Sequence, residues 1–495
     1  MAARRLLSHA DSAPNPPRRR VRFTFDGREY DGVEGEPLAV AMLAADRLIL
    51  SRSFRFHRPR GLMCDTGQCG WCECEVDGRP SVRSCQVPVR DGLVARSEHA
   101  WPTVERDLLG WLDLGSRWIP PTFYHHRFLR PRGLRKRYLD VIRGFGGRGR
   151  LALGRQAGEA RGRVVQELET DVLLVGGGSS GSAAADAAAE RGASVVLVEA
   201  VRDRARPSRP AVRVLDGAAA IGWYEGVVLA LDDSTSWTIR AGSVIAATGS
   251  YELVPSVRGA DRPGVIGARR VLDLVTSHFV LPGERALLIG EPGDLPDVGA
   301  ALVEAGATVI GPVPAASLRR VLGRRRVTGA TIDIDGLRRR EAVDLVVFGD
   351  RTPNLDLPLA AGAAVESRDG VLVPVLDAAG RTTVPNLSVV GSATGRATAR
   401  EPGPVPTGRT LVCFCEDVHA DEIHAQVAAG YGDPELVKRR TGALTGPCQG
   451  KYCAQAFART MADAGVPTDG LPTARPPLRP VRLGDLVPSG DSDER

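Results

Sequence analysis

The sequence predicts a multidomain α/β protein with parallel sheets, and three observations carry that prediction. From Thr170 to about Gly395 apolar strands alternate with Ala-rich helices, the pattern of βαβ units. Near the start of that region Gly176-Gly-Gly178-Ser-Ser-Gly181 follows a strand and opens a helix. Nine cysteines fall in two tight groups on either side of it: Cys64, Cys69, Cys72, Cys74 and Cys85, then Cys413, Cys415, Cys448 and Cys453. A length of 495 residues suggests roughly two to four domains and excludes a disordered or collagen-like chain.

The composition narrows the class further. The formal charge is +6, with Lys136, Lys438 and Lys451 as the only lysines, so the basic balance is an arginine-rich composition bias and not a nucleic-acid footprint. An odd number of clustered cysteines suits metal ligation in a reducing compartment better than a disulfide framework. Residues 1–20 carry no apolar signal-peptide core, and no window approaches about eighteen uninterrupted apolar residues. The expectation is a cytoplasmic protein without a membrane span, with attachment to a membrane through partners left open.

Along the chain, residues 1–20 are basic, Pro-rich and aperiodic and read as a disordered arm. Val21 to Phe25 alternates as a strand, Asp26-Gly27 marks a hairpin, and Glu36 to Leu48 has the pattern of an apolar helix. Residues 101–165 form a connector holding Trp101, Trp111, Trp118 and the basic aromatic run Phe123-Tyr-His-His-Arg-Phe-Leu-Arg. Such interleaving could contact nucleic acid, but aromatics packed between domains with arginines facing water is the plainer reading, so no nucleic-acid partner is expected. Residues 396–410 read as a linker, Glu416 to Arg440 as helical, and the Pro-rich stretch from Gly470 as a tail. The expected parts are 1–20, 21–100, 101–165, 166–400, 408–470 and 471–495.

In the first cysteine group, Cys64, Cys69 and Cys72 follow a C-x4-C-x2-C spacing, and a hairpin at Asp77-Gly78 returns Cys85. Four thiolates converging in a glycine-rich loop suit a two-iron, two-sulfur cluster; a structural zinc site is the alternative. The fourth cysteine follows sooner than in plant-type ferredoxins, and the loop resembles that of the β-grasp ferredoxin domains of succinate dehydrogenase and the molybdenum hydroxylases. Cys74 alternates with Glu73 and Glu75 and is expected to be a buried thiol.

The second group pairs Cys413-Phe-Cys415 with Cys448 and Cys453, where Gly446-Pro447 breaks the chain ahead of a new helix. A helix N-terminus stabilises thiolate charge. With Glu416, Val427-Ala-Ala-Gly-Tyr, Leu436-Val-Lys and Thr441-Gly-Ala-Leu-Thr-Gly-Pro, this segment resembles the small helical bacterioferritin-associated ferredoxin-like domain, and the resemblance implies Cys413, Cys415, Cys448 and Cys453 as ligands of a second 2Fe-2S cluster. Zinc again remains the alternative.

Between the two groups, Gly176, Gly178 and Gly181 permit a tight turn, close approach of a pyrophosphate and close helix packing, while Glu199 ends the next strand where it can accept hydrogen bonds from an adenosine ribose. Val244-Ile-Ala-Ala-Thr248-Gly249 resembles the Ala-Thr-Gly element of flavoproteins with two dinucleotide-binding domains, which implies FAD. Gly290-Glu-Pro292-Gly293 begins a second unit, but Pro292 and Leu295 replace glycines and no acid ends the strand from Thr308. Proline offers no amide, so tight NAD(P)H binding is not expected. Two departures bear on the flavin: the segment Ala200 to Trp237 lacks a Gly-Gly pair and looks shortened, and Ser392 stands where the flavoprotein pattern has aspartate.

The order of parts from about Val21 to Leu486 resembles the alpha-type subunits of hydrogen cyanide synthase, opine oxidase, dye-linked proline dehydrogenase and sarcosine oxidase. Ser51-Arg-Ser-Phe-Arg-Phe-His-Arg-Pro-Arg-Gly61 is the most specific N-terminal match. The resemblance implies a fold of β-grasp ferredoxin-like domain, two-dinucleotide-binding-domain flavoprotein core and small helical 2Fe-2S domain. It implies an FAD-dependent, iron-sulfur oxidoreductase subunit relaying electrons from a D-amino-acid-oxidase-like flavoprotein partner to an acceptor such as a quinone, a dye or oxygen. Two alternatives stand beside it: an NAD(P)H-dependent ferredoxin-type reductase, and a nucleotide-binding scaffold without active flavin. No residue stands out as a general base with a pocket of its own; His125, His126 and His278 are the obvious histidines but sit in aromatic or apolar stretches.

Overall fold

The computed structural model describes residues 3–6, 19–123, 132–146, 163–396, 403–467, 472 and 474–486. Residues 7–18 of the expected arm, His125 and His126, most of the basic aromatic run, part of the 396–410 linker and the end of the tail lie outside the described residues. The chain divides into two compact units: residues 1–152, 252–350 and 401–466 form the first, and 153–251, 351–400 and 467–495 the second. The stretch 166–400, expected as one core, is thus shared between them. Its middle third joins the first unit because Leu274 and Val280 enter the same apolar core as Phe23, Phe25 and Leu93.

In the first unit a five-stranded sheet runs in the order Arg28–Val33, Arg20–Phe25, Val94–Ser97, Glu73–Val76, Arg79–Arg83. Asp26 and Gly27 have φ of 51° and 72°, and Asp77 and Gly78 of 49° and 75°, so both predicted hairpin turns take the left-handed conformations that match strand twist. The helix Leu38–Ala44 buries Leu38 to Leu43, as expected of a helix apolar on every face. Cys74 is fully buried in its strand, and burial pushes its thiol well above the usual range. Ala3 to Leu6 correct the expected arm: Arg4–Arg5 pairs with Val280–Leu281, and Arg5 donates to Glu36 at 2.8 Å, so an ion pair with a buried carboxylate orders a stretch that composition alone reads as disordered.

The same unit holds a parallel sheet ordered Val265–Gly267, Leu345–Phe348, Arg285–Ile289, Thr308–Val313, with helices Ala268–Thr276 and Leu295–Glu304. Its C-terminal segment carries the strand Leu411–Cys413 and helices Ala420–Ala428, Pro434–Thr441 and Ala454–Asp463. The continuous helix expected from Glu416 to Arg440 is two. Gly430 at φ 92° ends the first, and Asp433 caps the second by accepting from the Leu436 amide at 2.9 Å, with Pro434 at its first turn. The connector's tryptophans are exposed rather than packed, Trp118 at 77%, because its short turns Leu108–Asp113 and Ser116–Trp118 present no apolar face to a core.

The run Ser51 to Gly61 is the mortar of this unit. Arg52 donates to the Val104 carbonyl, Arg55 to the carbonyls of Ile119 and Asp417 and to the carboxylate of Glu422, and Arg58 to Asp113 and Asp261. Arg60 donates to Asp261 at 3.0 Å and to Asp417 at 2.7 Å. All three of these last side chains are at most 5% exposed. The Phe56 amide also donates to Asp417, and its ring stacks on His419 at 5.3 Å.

The second unit is built on a seven-stranded sheet in which Val212–Asp216, Val195–Glu199, Val164–Val175, Thr235–Ala246 and Leu387–Val389 run parallel, and Ala219–Tyr224 and Val227–Leu231 add an antiparallel hairpin. The helix Ser179–Glu190 packs Ala185 and Ala188 on this sheet. Among the described residues no helix is long and apolar enough to cross a membrane.

Removing one partner of a buried ion pair strands the others, so Arg60→Leu should cost on the order of 3–5 kcal/mol, seen as a lower thermal midpoint of the full chain. Burial raises the Glu422 carboxyl, but hydrogen bonds from His419 and Arg55 outweigh it and hold the group at about 2. A depressed acid contributes stability that is present above its unfolded value and lost as pH falls toward the folded one. Melting curves between about pH 4.5 and 2 should therefore show a steeper acid loss in the native chain than in Glu422→Gln.

Candidate functional site

The first cysteine loop leaves the strand Pro59–Arg60 and ends at Glu73–Val76. Gly67 and Gly70 have φ of 68° and 72°, the region in which glycine carries no steric penalty. Cys85 lies in the short turn Ser84–Gln86, and Ser84 fastens it by donating from its amide and its hydroxyl, the latter at 2.6 Å, to the Cys72 carbonyl. Around the thiols, the Thr66 hydroxyl lies 3.7 Å from the Cys64 sulfur, the Trp71 amide 3.5 Å from that of Cys69 and the Gln86 side-chain amide 3.8 Å from that of Cys85. These are donors of the kind that stabilise thiolate charge.

Arg270, on the helix Ala268–Thr276, closes the loop from the side. Its guanidinium donates to the carbonyls of Cys64 and Asp65 at 2.9 and 3.1 Å and to the Asp273 carboxylate at 2.6 Å. Although burial opposes it, the facing charges of Cys85, Asp273 and Cys64 raise its affinity for the proton. His278 Nε2 lies 3.5 Å from the same Asp273 carboxylate, just beyond the helix end.

In the second group Cys413 ends its strand and Cys453 precedes the helix Ala454–Asp463, their sulfurs 3.8 Å apart. Gly446 is required by space: a Cβ there would fall inside the contact radius of the Cys415 Cβ. Hydrogen bonds from Cys415 and Cys453, and then from the Tyr452 and Gly450 amides, hold the Cys448 thiol well below its usual value. In the first group the Cys69 hydrogen bond lowers Cys64, the Cys85 hydrogen bond brings Cys72 down to about 7, and Cys69, by burial, and Cys85, by its bond to Cys72, are pushed up.

None of these eight cysteines forms a disulfide, and all are buried apart from the half-buried Cys415. The two groups of four, distant in sequence, are brought into contact. The Cys415 sulfur lies 3.7 Å from the Cys69 carbonyl oxygen, and the Thr66 and Tyr452 hydroxyls are 2.6 Å apart. Arg83 donates to Gly67 and to Pro447, both at 2.9 Å, while Trp71 meets Phe414 edge-on at 5.2 Å. Each group offers four soft donors within a buried, donor-lined loop, which fits a two-iron cluster. In the first group Cys64 meets Cys69 and Cys72 meets Cys85, whereas in the second Cys448 meets both Cys415 and Cys453; among the described residues no set of three or more His, Cys, Asp or Glu side chains is arranged as a single-ion site.

In the second unit Gly176, Gly178, Gly181, Thr248 and Gly249 come together at the carboxyl ends of the parallel strands. A Cβ at Gly181 would strike the Gly176 carbonyl, and one at Gly176 would strike that of Ala247, whereas Gly178 faces open space. Thr248 and Gly249 are tied to Asn354, whose amide donates to the Gly249 carbonyl at 3.0 Å. Glu199 accepts from the amides of Gly177 and Val201 at 2.6 and 2.7 Å, so it shapes the glycine turn. A carboxylate has lone pairs left for a further donor.

The Gly290 turn in the first unit is filled differently. Asp350 accepts from the Glu291 amide at 2.8 Å and abuts Gly290, and burial pushes its carboxyl up to about 6. Leu295, fully buried, packs on Gly349. A carboxylate and a leucine therefore occupy the surroundings of the turn where a dinucleotide phosphate would approach.

Residues 18–100 match the family model of the 2Fe-2S iron-sulfur cluster binding domain, and residues 407–488 that of the sarcosine oxidase A3 domain. The alpha chain of sarcosine oxidase from Rhizobium meliloti (strain 1021) is 28% identical across 94% of this chain and 57% of its own length. The chain is homologous to sarcosine oxidase alpha. It spans little more than half the length of that relative. An opine oxidase subunit of the same organism is 37% identical over 18% of this chain and 20% of its own. In fold, the chain is similar to the crystal structure of L-proline dehydrogenase from P. horikoshii, with a TM-score of 0.70 and 20% identity over 96% of this chain and 98% of that one. The relatives are named as subunits of oxidases, and the chain is an α/β multidomain protein with a 2Fe-2S domain at its N-terminal end.

Arg270, Asp261, Asp417 and the Thr66–Tyr452 contact were not legible in the sequence, since each acts on a segment remote from its own. Only the arginine-rich run Ser51 to Gly61 hinted at them.

Gly446→Ala should displace Cys415 and cost about 1–3 kcal/mol through overpacking. The checks are a thermal melt and counting of reagent-accessible thiols, with Cys415 becoming reactive in the variant before the other eight.

Proposed function

We propose that the chain is the electron-transferring subunit of an amino-acid or amine oxidising complex. In this reading Cys64, Cys69, Cys72 and Cys85 hold one 2Fe-2S cluster, and Cys413, Cys415, Cys448 and Cys453 hold a second. A cluster of this kind accepts and releases single electrons. The observation that carries the proposal is the contact of two buried groups of four thiols in one unit, each lined by hydrogen-bond donors. The loop amides and hydroxyls stabilise thiolate charge, Arg270 places a buried positive charge beside Cys64 and Cys85, and Ser84 keeps Cys85 turned toward the loop.

The donor of electrons is proposed to be a D-amino-acid-oxidase-like flavoprotein subunit, in line with homologues that are themselves named as subunits. FAD is the proposed nucleotide of the second unit, with Gly176, Gly178 and Gly181 approaching the pyrophosphate, Glu199 accepting from the ribose, and Thr248 and Gly249 lining the path beyond. The filling of the Gly290 turn by Asp350 and Leu295 argues against the NAD(P)H-dependent alternative. No residue of the described chain is proposed as a general acid or base for substrate.

Chemical analysis of purified chain should find about four irons and four acid-labile sulfides; a colourless, zinc-loaded protein would sink the proposal. Cys448→Ser should lose about half of the iron. Extraction of the nucleotide separates FAD from an adenine nucleotide scaffold, and rapid bleaching of the visible spectrum by NADH would favour the reductase alternative.

A further inference from the structure

We infer that the two thiol groups form one electrostatically coupled pair of redox sites, with the Thr66 and Tyr452 hydroxyls as positioning groups that set their spacing. The inference rests on the proposed function and deepens it, from two sites in series to two sites that feel each other's charge.

Two contacts bring the groups together directly. The Cys415 sulfur lies 3.7 Å from the carbonyl oxygen of Cys69, so a residue of one group touches a residue of the other without any intervening side chain. The Thr66 hydroxyl, itself 3.7 Å from the Cys64 sulfur, meets the Tyr452 hydroxyl at 2.6 Å, and Tyr452 adjoins Cys453 in the chain. Pro447, beside Cys448, packs against Gly70, beside Cys69. Arg83 spans the seam by donating to Gly67 and Pro447 and braces the two loops from the rim.

Burial makes this proximity matter. Cys69 is 2% exposed, Cys453 1% and Tyr452 5%, and charges in such surroundings interact more strongly and are screened less by salt than charges in water. An electron on either site adds negative charge beside the other. The second electron would therefore be harder to add than the first, and the spins of two reduced sites held by touching loops would interact magnetically. Loss of either hydroxyl would let the Cys64 loop and the Cys453 loop shift relative to each other.

The test is redox titration and electron paramagnetic resonance of the full chain with its iron loaded, reduced by dithionite. The expected result is a split or broadened signal at full reduction that differs from the sum of two independent spectra. In Cys448→Ser, the remaining site should titrate at a higher potential than in the native chain, because its charged neighbour is gone. Thr66→Val with Tyr452→Phe should keep the full iron content and change the splitting. Two additive spectra, an unchanged potential in Cys448→Ser, or a splitting indifferent to the hydroxyl pair would each overturn the inference while leaving the proposed function standing. A chain without iron would overturn both. Should Cys448→Ser fail to fold, the native spectrum and the hydroxyl variant still decide.

Discussion

The first unit depends on the pairing of Arg60 with Asp261 and Asp417. These three charges are almost completely withdrawn from water, and a buried charge persists only where opposite charge and hydrogen bonds compensate the lost hydration. Because the arginine comes from the N-terminal segment, one aspartate from the middle of the chain and the other from the C-terminal segment, satisfying the charges forces three remote stretches together. Arg55 and Arg58 extend the arrangement through Glu422 and Asp113. Burial tends to raise Asp261, and the neighbouring guanidinium groups of Arg58 and Arg60 hold it well below the usual carboxylate range.

The contact of the cysteine groups follows from that constraint. Arg60 also donates to the Phe414 carbonyl at 2.8 Å, which lies between Cys413 and Cys415, and its guanidinium stands 5.1 Å from the centre of the Trp71 ring, between Cys69 and Cys72. One side chain thus orients a residue inside each group. The parallel sheet that resembles a second dinucleotide-binding unit contributes in a different way from its sequence pattern: its turn is closed by Asp350 and Leu295, and its helix supplies Arg270 to the Cys64 loop. The helix Ala268–Thr276 thereby walls the cysteine loop.

Much of this was legible from local chemistry. The left-handed turns at Asp26-Gly27 and Asp77-Gly78, the cysteine spacing, the glycine turn at Gly176 and the burial of Cys74 each depend on residues a few positions apart, so short patterns suffice. Sequence and structure part where distant partners intervene. Arg4 and Arg5 read as part of a disordered arm by composition, yet Glu36 and the Val280 strand engage them. Glu416 to Arg440 reads as one helix because its periodicity continues across Gly430, where a single left-handed residue ends it. The tryptophans of the connector are core residues by type, but Trp111 and Trp118 are left largely exposed.

By itself, then, the sequence determined the local features: two clusters of closely spaced cysteines and a glycine-rich turn between a strand and a helix, because cysteine spacing and turn chemistry are local. Only the tertiary structure decided that the sets touch, which segments share a unit, and that Gly290 opens onto a carboxylate. Those outcomes follow from the pairing of buried charges and the packing of apolar faces hundreds of positions apart, and no short window of residues contains both halves of such an interaction.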